Sequence, residues 1–185
     1  MNPVKNAVRK RPAVIDAGID VALCHVKSPV GTLHVGMLDG AICWIGFDTA
    51  HWRASMERYL RRAWRVVRLH EVEASKAIER EIAIALGTRK GEPGCELVFH
   101  GTPFQEAVWK AVLQIPRGTT VSYADIARSI GNPKAVRAVG TAIGGNPIPI
   151  IIPCHRVIAK DGGLGGFGGG LRLKKQLLQM DGIEL

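Results

Sequence analysis

Zinc-finger and zinc-ribbon spacings are missing from this chain. Its four cysteines, Cys24, Cys43, Cys95 and Cys154, include no Cys-x-x-Cys pair. Cys24-His25 with His34 has no spacing specific to a metal site either, so no metal is expected. A chain of 185 residues does not need disulfides, and a reduced cytoplasmic setting suits a working thiol. No apolar run approaches the ~20 residues of a membrane span, which argues against a membrane partner. The first 20 residues carry Lys5, Arg9, Lys10 and Arg11 but lack the apolar stretch of a secretion signal. They read as a mobile basic tail. There is also no strand–GxxxxGK[ST]–helix order, so the glycine-rich stretch 162–170 is not a nucleotide-binding loop, and no cofactor is expected.

What the chain does have is positive charge and enough apolar residues for a core. Its net charge is +9, its pI about 9.8 and its hydrophobic content 46%. The charge is spread through the chain: residues 1–100 carry 15 Lys and Arg against 11 Asp and Glu, and residues 101–185 carry 10 against 5. Such a balance points to a polyanionic partner, nucleic acid first, with a merely soluble basic surface as the alternative.

Two textures divide the sequence. After the tail, residues 21–94 read as an α/β domain and its linker. Short β-prone runs at 21–26, 32–37 and 41–47 are separated by Ser28-Pro29-Val30-Gly31 and by the hairpin signal Asp39-Gly40. Helical patterns follow at about 51–64 and 73–86, and the polar, breaker-rich stretch 87–94 is the expected linker. Arg58, Arg61, Arg62 and Arg65 fall at helical spacing. They form either a solvated face or a phosphate contact.

Residues 95–185 read as a mainly helical domain. Phe104, Val108, Ala111, Val112 and Ile115 repeat at helical spacing behind Thr102-Pro103. Ser122-Tyr123-Ala124-Asp125 has the form of a capping box, with a helix to about 130. Gly131-Asn132-Pro133 is a tight corner, in which Asn132 is expected to cap the next helix, about 134–143. Helix, short turn, helix is the helix-turn-helix pattern. In its second helix Val136, Val139 and Ile143 form the expected inner stripe, and Lys134, Arg137 and Thr141 lie opposite. The remaining positions, including Ala135, Ala138, Gly140 and Gly144, are small. Small residues beside two cations suit close approach to a phosphate-lined groove. A last helix covers about 171–180.

The tetrapeptide Pro153-Cys154-His155-Arg156 ends the apolar run 148–152. A thiol with an ordinary pKa near ~8.5 is mostly protonated at neutral pH, and an adjacent imidazole or cation raises its thiolate fraction. A buried structural cysteine is the bland alternative for a lone Cys-His pair.

Five motifs in order add to this: Val121-Ser122-Tyr123, Gly131-Asn132-Pro133, Arg137-Ala138-Val139-Gly140, Gly145-Asn146-Pro147 and Ile152-Pro153-Cys154-His155-Arg156-Val157-Ile158. Together they resemble the O6-alkylguanine-DNA alkyltransferases, continuously over about 102–181 and more weakly at Ser28-Pro29-Val30-Gly31. The resemblance implies a ribonuclease-H-like α/β N-terminal domain and a mainly α C-terminal domain with a winged helix-turn-helix that enters the minor groove. It implies single-use transfer of an alkyl group from O6-alkylguanine in double-stranded DNA, with O4-alkylthymine a further candidate, to Cys154 after base flipping. It also implies a monomer without an obligate protein partner, cytoplasmic and nucleoid-associated if bacterial.

By the same resemblance, His155 takes the thiol proton, a carboxylate orients His155, Asn146 holds the turn, and Tyr123 donates to the guanine. Arg137 fills the gap left by the extruded base. Lys134, Ala135, Ala138, Ser122, Thr141 and Arg156 face the DNA, backbone groups of Cys154, Val157 and Gly168 recognise the base edge, and the Phe167 ring walls the pocket. The chain departs from the family pattern at Asp181, where glutamate is usual, which is expected to lengthen a contact or shift the helix. Phe167 and Gly168 replace the tyrosine and serine of some members. The zinc ligands of some animal members are unmatched. Three other readings are a lesion-binding module without repair, a DNA-binding regulator and a cysteine hydrolase. They are opposed respectively by the presence of Cys154, by the lack of an added cysteine cluster, and by a Cys-His pair adjacent in sequence beside a DNA-reading motif.

Overall fold

The computed structural model describes residues 8–9, 19–64 and 67–184. Its first half is built on a mixed four-stranded sheet in the order β3-β2-β1-β4. The strands are β1 (Ile19–Ser28), β2 (Gly31–Leu38), β3 (Ala41–Phe47) and β4 (Val67–Glu71). Asp39 and Gly40 both have positive φ, 49° and 78°. That is the condition for a type I′ turn, whose twist matches the strands it joins. At the β1–β2 turn the Ser28 hydroxyl accepts from Val30 N at 3.2 Å and donates to the Gly31 carbonyl at 2.6 Å. The chain leaves β3 through α1 (Trp52–Ala63) and returns as β4, parallel to β1. The sequence does not announce this fourth strand, because Val67-Arg68-Leu69-His70-Glu71 is short and half charged. Only the alternation of Val67 and Leu69, which lean on the core, marks it.

The sheet buries both faces. Val21, Leu23, Leu38 and Cys43 pack with Met56, Leu60 and Trp64 on the α1 side. Cys24, Val26, Leu33, Val35 and Ile45 face the other way, and there they join Ile82 of α2 (Lys76–Ala85) with Leu97, Phe99, Val108, Trp109, Ile148 and Ile152. One apolar core therefore runs from the sheet into the second half. Backbone bonds follow it across: Ile42 N donates to Glu96 O at 2.9 Å, Val98 N to Ile42 O at 3.0 Å, and Ile45 N to Pro147 O at 2.8 Å. The division expected at 94/95 separates texture but not packing. The boundary of the expected tail also moves. Ile19 and Asp20 already belong to β1, and Val8 is bridged to Leu97. Residues 1–7 and 10–18 of that stretch lie outside the described residues.

The second half contains α3 (Pro103–Leu113), β5 (Val121–Ser122), α4 (Tyr123–Ser129), α5 (Val136–Gly144), a 3₁₀ turn (Cys154–Arg156), β6 (Val157–Ile158) and α6 (Leu171–Met180). Capping boxes start α3, through Thr102 and Gln105, and α4, through Ser122 and Asp125. The helix α5 starts at Val136 rather than Lys134, and Asn132 does not cap it. The Asn132 amide donates instead to Ile130 O at 3.2 Å, and a turn closed by Ala135 N to Asn132 O at 2.9 Å precedes the helix. The inner stripe shifts accordingly to Val139, Ala142 and Ile143, and Val136 is 37% exposed in the open first turn. Trp109 Nε1 donates to Ala142 O at 2.8 Å and ties α5 to α3. Among the described residues no helix is long and apolar enough to cross a membrane.

A shared core predicts shared stability. Leu97 is fully buried where the two halves meet. Leu97→Ala is expected to cost about 2–5 kcal/mol and to lower one common urea transition, followed by tryptophan fluorescence and far-UV circular dichroism. Separate transitions for sheet and helices would contradict the single core.

Candidate active site

The turn that carries Cys154 is held from several directions. The helix α5 ends at Gly144, and Asn146 follows. Its side-chain amide donates to Ile152 O at 2.9 Å, and its side-chain oxygen accepts from Ile148 N at 3.0 Å. Between these two anchors Ile150 has a φ of 76°. This left-handed conformation is a genuine outlier for a β-branched residue, and costs of order 1–3 kcal/mol. The clamp from Asn146 and the burial of Ile150 hold it in place. The chain then enters the 3₁₀ turn with Cys154 N donating to Ile152 O at 2.7 Å.

Cys154 is buried, and burial pushes its thiol pKa up. The Asn146 side chain, the Lys174 charge and the backbone N–H groups of Cys154 and His155 act in the opposite direction. At rest the group is a thiol surrounded by groups that favour its anion. Behind it His155 is 2% exposed, with Nε2 3.1 Å from Asp181 Oδ2. A carboxylate accepts, so Nε2 carries the proton and Nδ1 is left as the basic nitrogen. Nδ1 is buried with no protein partner among the described residues. Burial holds His155 below its ordinary pKa, opposed by Asp181, so it stands neutral.

Asp181 does more than orient His155. It accepts from Arg156 Nε at 2.6 Å and Arg156 Nη2 at 3.2 Å, and Arg117 Nε lies 3.4 Å away. Burial alone would raise its pKa, but the bonds from His155 and Arg156 outweigh that and hold it at about 2. Although this carboxylate is one methylene shorter than glutamate, its contact with His155 is direct. Arg156 in turn is not a DNA-facing residue. It is 6% exposed, and its remaining donor goes to Ile115 O at 2.8 Å. Three carbonyl or carboxylate oxygens satisfy it inside the protein, which is why it turns inward.

Cys154 borders a cavity of about 550 Å³, lined also by Tyr123, Val136, Arg137, Gly140, Ile143, Gly144, Gly166, Phe167 and Gly168. Of the residues expected around a substrate, Tyr123, Arg137, Phe167 and Gly168 meet there with Cys154. Arg137 is exposed at the rim. Phe167 leans on Phe47 of β3, with ring centroids 5.9 Å apart. Tyr123 has its phenol pKa raised by burial, with a backbone contact to Gly166. The loop comes so close that a Cβ on Gly165 would sit 2.8 Å from the Tyr123 hydroxyl, and Gly165 has a φ of 64°. Glycine is required there on both counts.

Other expected residues lie elsewhere. Lys134, Ala138 and Thr141 are exposed on the α5 side and Ala135 is half-buried. Ser122 spends its hydroxyl on Asp125 at 2.6 Å as the α4 cap. Val157 is fully buried, and its carbonyl accepts from Lys174 Nζ at 2.6 Å. His25 and His34 face each other with Nδ1 atoms 2.8 Å apart, whereas Cys24 points to the opposite face of the strand. No group of three metal-ligating side chains occurs among the described residues.

The residue that sequence reasoning missed is Lys174. It is fully buried, and its ammonium donates to the carbonyls of Val157, Leu164 and Gly166, the last at 3.4 Å. Burial lowers its pKa to about 8 despite the opposing influence of Cys154. A signal was available. Lys174 shares the buried stripe of α6 with Leu177 and Leu178, and a lysine on an apolar stripe needs a partner.

Residues 103–183 match the family described as 6-O-methylguanine DNA methyltransferase, DNA binding domain. The chain is 57% identical over 83 residues to the methylated-DNA–protein-cysteine methyltransferase of Haemophilus influenzae, covering 45% of this chain and 46% of that protein. It is 57% identical over 86 residues to the Mycobacterium tuberculosis protein of the same name, covering 46% and 52%. These matches span about half the length of the curated relatives. The whole fold is similar to Mycobacterium tuberculosis OGT crystallised with DNA, at 35% identity and a TM-score of 0.72 over 87% of this chain and 92% of that one. The enzyme from Pyrococcus kodakaraensis is 25% identical with a TM-score of 0.65, over 88% and 99%. From its motifs, its site and these matches, the chain belongs to the O6-methylguanine-DNA methyltransferase family.

Proposed function

We propose that this protein repairs DNA by direct reversal, moving an alkyl group from O6 of guanine in a duplex to Cys154. The single observation that carries this reading is the position of Cys154. It lies on the floor of a cavity rimmed by Arg137 of α5, with the His155–Asp181 pair directly behind. A cysteine hydrolase would need a site for acyl chemistry, and nothing in that lining suggests one. A lesion-binding module would need no such relay.

In the reaction His155 Nδ1 accepts the thiol proton through a water, and the imidazolium is stabilised by Asp181. The Cys154 sulfur attacks the alkyl carbon, a carbon–sulfur bond forms, and the carbon–O6 bond breaks with its electron pair moving onto the guanine. Tyr123 donates a hydrogen bond to the ring as that charge develops, and Asn146 holds the turn and the sulfur. The base reaches the cavity only if it leaves the stack, and a poorly paired alkylated guanine lowers that cost. Helices α4 and α5 with the β5–β6 ladder act as a winged helix-turn-helix, and the exposed Ala138 and Thr141 face of α5 enters the minor groove with Arg137 replacing the extruded base. The sheet half is read as ribonuclease-H-like. The protein acts as a monomer in a reducing compartment that holds DNA. An alkyl thioether resists water, so each molecule works once.

Intact mass after incubation with a duplex carrying one O6-methylguanine tests the reading. One added methyl per protein, absent in Cys154→Ser, is expected. Tight lesion binding without any mass change would move the protein to the recognition-only class. The Lys174 charge also favours the Cys154 anion, so removing it must raise the thiol pKa. Lys174→Met is expected to shift the pH midpoint of Cys154 alkylation by iodoacetamide upward and to slow methyl transfer. An unchanged midpoint in a folded variant would restrict Lys174 to holding the glycine-rich loop.

A further inference from the structure

A second cleft, of about 630 Å³, adjoins the end of α5, where Gly144 lines it. Arg58 and Arg62 of α1 line it together with Gly144, Gly145 and Asn146. Gly144 borders both cavities, so the two sites are neighbours along the surface that α5 presents. Asn146 lines this cleft, and its side-chain amide donates to Ile152 O in the segment that leads to Cys154.

The state of the arginines is the informative point. Arg53, Arg68 and Arg128 each have a carboxylate partner, Glu71, Asp20 and Asp125 respectively. Arg58 and Arg62 stand one helical turn apart and have no hydrogen-bond or ion-pair acceptor among the described residues. No carboxylate lines the cleft. Glu106, next in sequence to the lining residue Gln105, is engaged by His100 Nδ1 at 3.4 Å and Lys110 Nζ at 3.7 Å. Two free guanidinium groups at one turn's spacing, lining a cleft that Gly144 and Gly145 also border, suit successive phosphates.

We propose that this cleft is a second DNA-backbone site, in which Arg58 and Arg62 bind phosphates flanking the lesion while α5 holds the groove. This assigns part of the α1 arginine row to the DNA interface and makes the sheet half a DNA-contacting body. It rests on the reading of duplex DNA as partner, but its test is independent of alkyl transfer. Each phosphate neutralised on duplex DNA contributes about 0.9 to the slope of log affinity against log salt concentration.

The experiment compares Arg58→Ala/Arg62→Ala with the charge-matched control Arg61→Ala/Arg80→Ala on an undamaged duplex over a series of salt concentrations. Circular dichroism checks folding, and transfer from free O6-benzylguanine is measured in parallel. The cleft variant is expected to lose about 2 from the salt slope, the control much less, with transfer from the free base unchanged. A cleft variant whose slope equals that of the control overturns the proposal. Loss of inorganic phosphate binding with an unchanged DNA slope overturns it as well, and makes the cleft a free-anion site. Because undamaged duplex is used, failure of methyl transfer in the parent would sink the repair reading without altering this result.

Discussion

The site depends on one buried carboxylate. Asp181 stands at the C-terminal end of α6, where the helix dipole disfavours negative charge, and it is 8% exposed. It remains ionised because His155, Arg156 and Arg117 converge on it. Arg117 also donates to the carbonyls of Met180 and Leu86, which closes the helix end and reaches back to α2. Removing one partner from such a buried cluster typically costs about 3–5 kcal/mol, because the remaining charge is left uncompensated. Asp181 thus fixes the imidazole tautomer, the path of the Cys154 turn and the seat of α6 together.

A cation balances this anion on the sulfur's side of the site. Lys174 comes from the same helix, two turns before Asp181, and holds three carbonyls of the segment 157–166. One helix therefore supplies an anion behind the histidine and a cation whose charge reaches the thiol. The resting thiol is kept protonated by burial, yet its surroundings favour the anion once the proton has a place to go. In the proposed reaction, neutral His155 with a free Nδ1 is that place. The clamped, left-handed Ile150 shows that the backbone accepts local strain to put the sulfur at the cavity floor.

Much of this was legible in the residues. Asp39-Gly40, Thr102-Pro103 and Ser122–Asp125 named their turns and caps, because each uses chemistry local to a few residues. The Pro-Cys-His-Arg segment and Asn146 marked the site through motif order. What was not legible depended on distant partners. Arg156 looked like a DNA contact because nothing nearby in sequence says that Asp181 and the Ile115 carbonyl will enclose it. The strand β4 was hidden because its pairing with β1 supplies what its composition lacks. The start of α5 was misplaced because Asn132 had two uses, cap or turn, and the turn won. Arg58 and Arg62 were ambiguous for a similar reason: only the fold sets α1 beside the end of α5.

The most direct test of the relay is the ¹⁵N NMR titration of the His155 ring in the unalkylated protein. The arrangement around Asp181 predicts a neutral imidazole through neutral pH, protonated at Nε2 with Nδ1 bare, and loss of that single tautomer in Asp181→Asn. An imidazolium at neutral pH, or a proton on Nδ1, would contradict it, since His155 could then not receive the proton of Cys154.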